Sequence, residues 1–134
     1  MSRRDVELPA DGWIVRAGDN MFEISFGSMP PEAAAAELLL LADGFISALS
    51  LRHPKEKVKV RLLVSNTPVR ATALVSRSGL ELAVSRTELL AWVAFFLRYY
   101  RDGVAEVDHF DLEADREGSK DAVVDVCIRV ADSR

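Results

Sequence analysis

Apolar residues return along most of the chain either at every second position or at every third to fourth, and these two rhythms mark out strands and helices in turn. Phe22, Ile24 and Phe26 alternate with Glu23 and Ser25, and Gly18-Asp19-Asn20 before them tolerate positive φ. Trp13–Ala17 and Met21–Phe26 therefore read as a hairpin with one buried face. Over Lys57–Ser65, Val58, Val60, Leu62 and Val64 alternate with Lys57, Lys59 and Arg61. Asn66-Thr67-Pro68 and Ser78-Gly79 then turn the chain into Val69–Arg77 and Leu80–Arg86, which predicts a three-strand meander. Ala105–Ala114 and Ala122–Val130, joined by the polar loop 115–121, form a final antiparallel pair.

The helical rhythm occurs twice. Ser28 ahead of Pro30-Pro31-Glu32 supplies a hydroxyl cap, first-turn prolines and an early carboxylate, so a helix is expected over residues 30–50. Ala34, Leu38, Leu41, Phe45 and Ala48 lie on its apolar face, with Gly44 inside it and Pro54 beyond its end. Ser85 and Glu88 have capping-box spacing, and Leu89, Trp92, Val93, Phe96, Leu97 and Tyr100 trace a second stripe over residues 88–102, closed by Gly103.

Laid end to end, the order is ββα-βββ-αββ. This predicts an α+β fold of two layers, a mainly antiparallel sheet with both helices on one face. Val15–Ser25 followed by helix and strand matches Val75–Ser85 followed by helix and strand, the pattern of an internal ββαβ repeat. Residues 1–12 are polar and end in Pro9-Ala10-Asp11-Gly12, a flexible lead-in to a single domain over 13–134. The expected core runs through Trp13, Phe22, Ile24, Phe26, Leu38, Leu41, Phe45, Val58, Val60, Leu62, Leu80, Leu82, Val84, Trp92, Phe96, Phe110, Val124, Val126 and Ile128.

Composition narrows the function classes. With 49% hydrophobic and 28% charged residues the chain is of ordinary globular type. A net charge of -4 provides no general positive field for phosphates or anionic lipid, so no nucleic acid is expected as partner. A lone Cys127 cannot form an internal disulfide, and no apolar run follows Arg3-Arg4. The longest apolar stretches, Ala33–Ala42 and Leu89–Leu97, reach about half of the ~20 residues a membrane-spanning helix needs. A cytoplasmic protein without membrane contact is expected. Thirteen arginines against four lysines, with 17 alanines, point to a GC-rich, bacterial genome.

The densest polar grouping is Asp108-His109-Phe110-Asp111-Leu112-Glu113, where His109, Asp111 and Glu113 share one strand face. Imidazole beside carboxylates suits a metal or acid/base chemistry. Neighbours at steps of two lie ~6.5–7 Å apart, loose for one ion, so a solvated face is expected with no metal and no cofactor. Cys127, with Asp125 and Arg129 on its side of the last strand, would need His109 nearby to act as a nucleophile. A small metal- or cysteine-dependent enzyme centred on His109, Asp111 and Cys127 is the alternative reading. Lys57, Lys59 and Arg61, with Arg70 beyond them, form a basic stripe suited to an acidic partner or to deterring edge pairing.

The helices are apolar over more than one face. Leu38, Leu39, Leu40 and Leu41 turn through most of the circumference, and Trp92, Phe95, Phe96, Tyr99 and Tyr100 crowd the second helix. The surplus predicts a homodimer with Leu40, Phe95 and Tyr99 at its interface, unless the two helices cover one another within the chain. No GxGxxG, HExxH, CxxC or GxSxG pattern occurs. The segment from Leu74 to Ala114, a strand pair, a helix and then Asp-His-x-x-Leu-Glu at 108–113, resembles small immunity proteins of bacterial toxin systems. That resemblance implies binding and blocking of a cognate toxin. The expectation is a non-catalytic protein-binding domain, of immunity type or another regulatory kind.

Overall fold

A computed structural model describes residues 5–7, 13–16, 20–25, 30–52, 59–65, 70–77, 79–102, 109–118 and 122–129. The chain is an α+β protein with two helices and a mixed, strongly curled sheet resembling half a barrel. In chain order the elements are β1 (Asp5–Glu7), β2 (Trp13–Arg16), β3 (Met21–Ser25), α1 (Pro31–Ala42), β4 (Ala48–Arg52), β5 (Lys59–Ser65), β6 (Thr72–Ser76), β7 (Gly79–Ser85), α2 (Arg86–Asp102), β8 (His109–Arg116) and β9 (Val123–Arg129). Their order across the sheet is β1-β4-β5-β7-β6-β8-β9-β3-β2, so the two shortest strands form the edges.

Two expectations about the first helix are corrected. It ends at Ala42 instead of near Ser50, because Gly44 takes φ 79. The Gly44 N–H donates to the Leu41 carbonyl at 3.1 Å and the Phe45 N–H to that of Leu40 at 2.9 Å. These are the two bonds of a Schellman motif, so Gly44 is the residue that stops the helix. At the other end the N-cap is Pro30 with no side-chain cap bond, and its carbonyl accepts from the N–H groups of Ala33 and Ala34. The second helix starts as expected: the Ser85 hydroxyl accepts from the Glu88 N–H at 3.1 Å.

The residues after the stop form β4, which the sequence pattern concealed. Ala48, Leu49, Ser50 and Leu51 are all buried, so no polar position marks an outer face. The mainly antiparallel sheet and the meander are corrected too. β7 lies between β5 and β6, parallel to β5 and antiparallel to β6. Parallel pairs also join β1 to β4, β3 to β9 and β6 to β8. The stretch read as a lead-in therefore carries a strand, β1.

The order of elements repeats: β2β3α1β4β5 is followed by β6β7α2β8β9. In each run the first two strands pair antiparallel, and so do the last two. The runs interlock, since the second strand of each lies parallel to the last strand of the other, β3 against β9 and β7 against β5. The curl also brings β2 to within 8 Å of β4 between Cα atoms, the counterpart of the β6 to β8 pairing.

One buried cluster joins sheet and helices. Phe22, Ile24, Val60, Leu62, Leu82, Val84, Val124, Val126 and Ile128 face Leu38, Leu41, Leu89, Trp92 and Phe96. Most of the predicted core lies here, and burying each such side chain contributes roughly 1.5–3 kcal/mol. Phe110 packs against the cluster while partly buried. Phe45 is corrected: the helix stops before its turn comes to face the sheet, leaving it 69% exposed. Phe26 and Val58 lie outside the described residues.

Candidate functional site

Two surfaces concentrate the candidate residues. The first is the outer face of β8, β9 and β3. Strand register sets Asp111 beside Cys127 and Cys127 beside Glu23. One row along, Glu113 lies beside Asp125 and Asp125 beside Met21; on the other side, His109 lies beside Arg129. Met21, Asp111, Glu113, Asp125 and Cys127 line a shallow groove of about 420 Å³. Alternation alone produces this face, because Val124, Val126 and Ile128 of β9 turn to the core.

The electrostatics of the groove keep the thiol neutral. Burial pushes the Cys127 thiol above its ordinary value, the carboxylates of Asp111 and Glu23 push it further, and Arg129 opposes them. A hydrogen bond between the thiol and Asp111 acts in the same upward direction. Arg129 in turn donates to Glu23 at 3.2 Å. A protonated thiol beside carboxylates is a poor nucleophile.

His109, Asp111 and Glu113 do share one face of β8, as the sequence predicts. Only Asp111 is brought directly against Cys127; His109 pairs in register with Arg129. Among the described residues no group of three or more His, Cys, Asp or Glu side chains is placed to hold a metal ion. The basic stripe meets acids. Arg61 donates to Glu81 at 2.9 Å, and Arg70 lies 3.6 Å from Glu113 and 3.4 Å from Asp115. Lys59 is exposed at the start of β5, and Lys57 lies outside the described residues.

The second surface belongs to the helices. α1 and α2 pack against each other, and Arg86 donates to Asp43 at 2.8 Å, setting the start of α2 beside the end of α1. The helices therefore run antiparallel. Ala34 and Ala35 are small, buried residues on the covered side of α1. The outward side of α1 carries Glu32, Ala36, Leu39, Leu40 and Asp43, and that of α2 carries Thr87, Ala91, Ala94, Leu97 and Arg98, all of them exposed. Leu39, Leu40 and Leu97 are 40%, 38% and 44% exposed.

Of the residues expected at an interface, Leu40 is on this surface. Phe95 is half-buried and meets Phe110 edge to face. Tyr99 lies on α2, but its side chain is outside what the structure describes. Leu39 belongs to the surplus of leucines expected from the sequence, whereas sequence reasoning missed Leu97 and the exposed Phe45. The signal for Phe45 was Gly44, read as a helical residue when it is the stop. Among the described residues no helix is long and apolar enough to cross a membrane. Compared with known proteins, the chain matches no family model, no curated protein and no solved structure.

Proposed function

We propose that this chain is a non-catalytic binding domain that engages another protein through the face α1 and α2 turn away from the sheet. The observation behind this reading is the apolar centre of that face, where Leu39, Leu40 and Leu97 stand in solvent among alanines. Scattered apolar side chains are ordinary on a surface, but α1 carries leucines on its outward side as well as on the side facing the core, and such a surplus is normally covered. A toxin antagonist of immunity type, which the Leu74–Ala114 segment resembles, would be one form of such binding.

A second reading is an enzyme at the sheet groove, favoured by the direct register of Asp111 with Cys127. The direction of the thiol shift counts against a thiolate mechanism. A photo-crosslinking amino acid in place of Leu40, and separately in place of Glu113, tests both surfaces in cells that make the protein. Covalent protein adducts through position 40, lost on adding Leu39→Glu, are expected. Adducts through position 113 alone would favour the groove and sink the helical reading.

A further inference from the structure

We infer that the occupant of the helical face is a second copy of the chain, related by a twofold axis parallel to the helices, with α1 of each copy lying on α2 of the other. The inference rests on the binding reading above and names its partner.

Charge supplies the first argument. Among the described outward residues, the charges on α1 are both acidic, Glu32 and Asp43, and those at the outward side of α2 are both basic, Arg86 and Arg98. Laying α1 on α1 would set acid on acid. Laying α1 on α2 sets acid on base twice over.

Spacing supplies the second. The Arg86–Asp43 bridge fixes one end of the antiparallel pair. At about 1.5 Å per residue, Glu32 lies roughly 16 Å back along α1 from Asp43, and Arg98 roughly 18 Å along α2 from Arg86. Glu32 and Arg98 are therefore level. An axis parallel to the helices keeps each helix's direction while exchanging left for right. Glu32 of one copy then lies over Arg98 of the other, and Asp43 over Arg86.

Shape supplies the third. Between these charged ends, Leu39 and Leu40 lie near the level of Ala91, and Ala36 near that of Ala94 and Leu97, so that large side chains face small ones in both places, as interdigitated helices require. The product is an intermolecular four-helix layer with a curled sheet on either side. Phe95 is not at its centre.

Sedimentation equilibrium of the full chain at tens of micromolar tests this. A mass of twice 14.8 kDa is expected, and a mass near 14.8 kDa overturns the inference. Leu39→Glu with Leu97→Glu should return the chain to a monomer with unchanged circular dichroism and urea midpoint, both positions being exposed. A folded double variant that stays dimeric overturns it. Glu32→Arg should weaken the dimer at least tenfold and Arg98→Glu, added to it, should restore it; failure of that restoration overturns the α1-on-α2 arrangement. The position-40 crosslinker separates this inference from the broader reading. Adducts to a different protein from a monomeric chain would preserve the binding function and overturn self-pairing, whereas no adduct at all would remove both.

Discussion

The ring of Phe95 meets that of Phe110 nearly edge to face, with centroids 4.9 Å apart and planes at 67°. Phe110 also lies 5.6 Å from the ring of Trp92, so one residue of β8 ties two turns of α2 to the sheet. Such pairs contribute about 0.5–1.5 kcal/mol beyond the area they bury. Phe95→Ala should therefore lower stability by about 2–3 kcal/mol, somewhat less than a fully buried Phe would lose. Urea unfolding of the variant measures this. A loss under about half a kcal/mol would show that Phe95 belongs to the surface after all.

Leu82 sits at the centre of the sheet, between Leu62 on β5 and Ala73 on β6, and is fully buried. Leu82→Ala should cost ~2–5 kcal/mol through lost burial and the cavity left behind. The urea midpoint should fall without a change of slope, since the same surface is exposed on unfolding.

The two glycines with positive φ at the ends of α1 and at the start of β7 should respond differently to a methyl group. At Gly44 the cost is that of a left-handed alanine, ~1–2 kcal/mol. Gly79 takes φ 145, and a Cβ there would lie 1.8 Å from the backbone carbonyl oxygen of Lys59 on β5. Gly79→Ala should therefore force β5 and β7 apart and cost more than about 3 kcal/mol, strain and lost pairing together. Equal losses from the two substitutions, in parallel denaturation curves, would contradict the close approach.

The Cys127 thiol should be slow to react near neutral pH. Burial and the carboxylates of Asp111 and Glu23 keep it protonated in the folded chain, while the unfolded chain ionises at the ordinary value. The unfolded state consequently loses its proton first as pH rises. Stability from this site is fully present below the ordinary thiol range and is lost as pH climbs through the raised folded value. Asp111→Asn removes one of the opposing charges, so alkylation by iodoacetamide should quicken by roughly threefold or more. Alkylation that is as fast in the parent as in a free cysteine would refute the shift.

How much of this was legible beforehand depended on whether the signal was local. The hairpins β2/β3, β6/β7 and β8/β9 announce themselves by alternation and turn residues, and Ser85 with Glu88 marks the start of α2. β4 escaped because burial on both faces erased its alternation and its apolar residues continued the helical spacing of α1. The parallel joints escaped for another reason. The register of Phe22 with Val126, or of Leu82 with Leu62, leaves no trace in either strand alone. The outer face of β8 was legible as a row and β9 with Cys127 as its neighbour, but Glu23 came from β3, whose parallel pairing with β9 only the fold decides. The helical stripe that joins Leu97 to Phe96 is drawn one residue too wide: Phe96 is buried, whereas Leu97 is exposed.

The interlocked sheet also governs how the chain can be made. β3 needs β9 beside it, yet roughly a hundred residues separate them, several seconds of synthesis at the usual rate of the ribosome. Until β9 emerges, Phe22 and Ile24 have no parallel neighbour, and the first half carries an open strand edge through nearly the whole of translation. Folding is thereby deferred to the end of the chain and governed by distant pairings, which are slow to find. A nascent chain stalled before Val123 should consequently be degraded or held by chaperones, while one that completes β9 can close every parallel joint in the sheet.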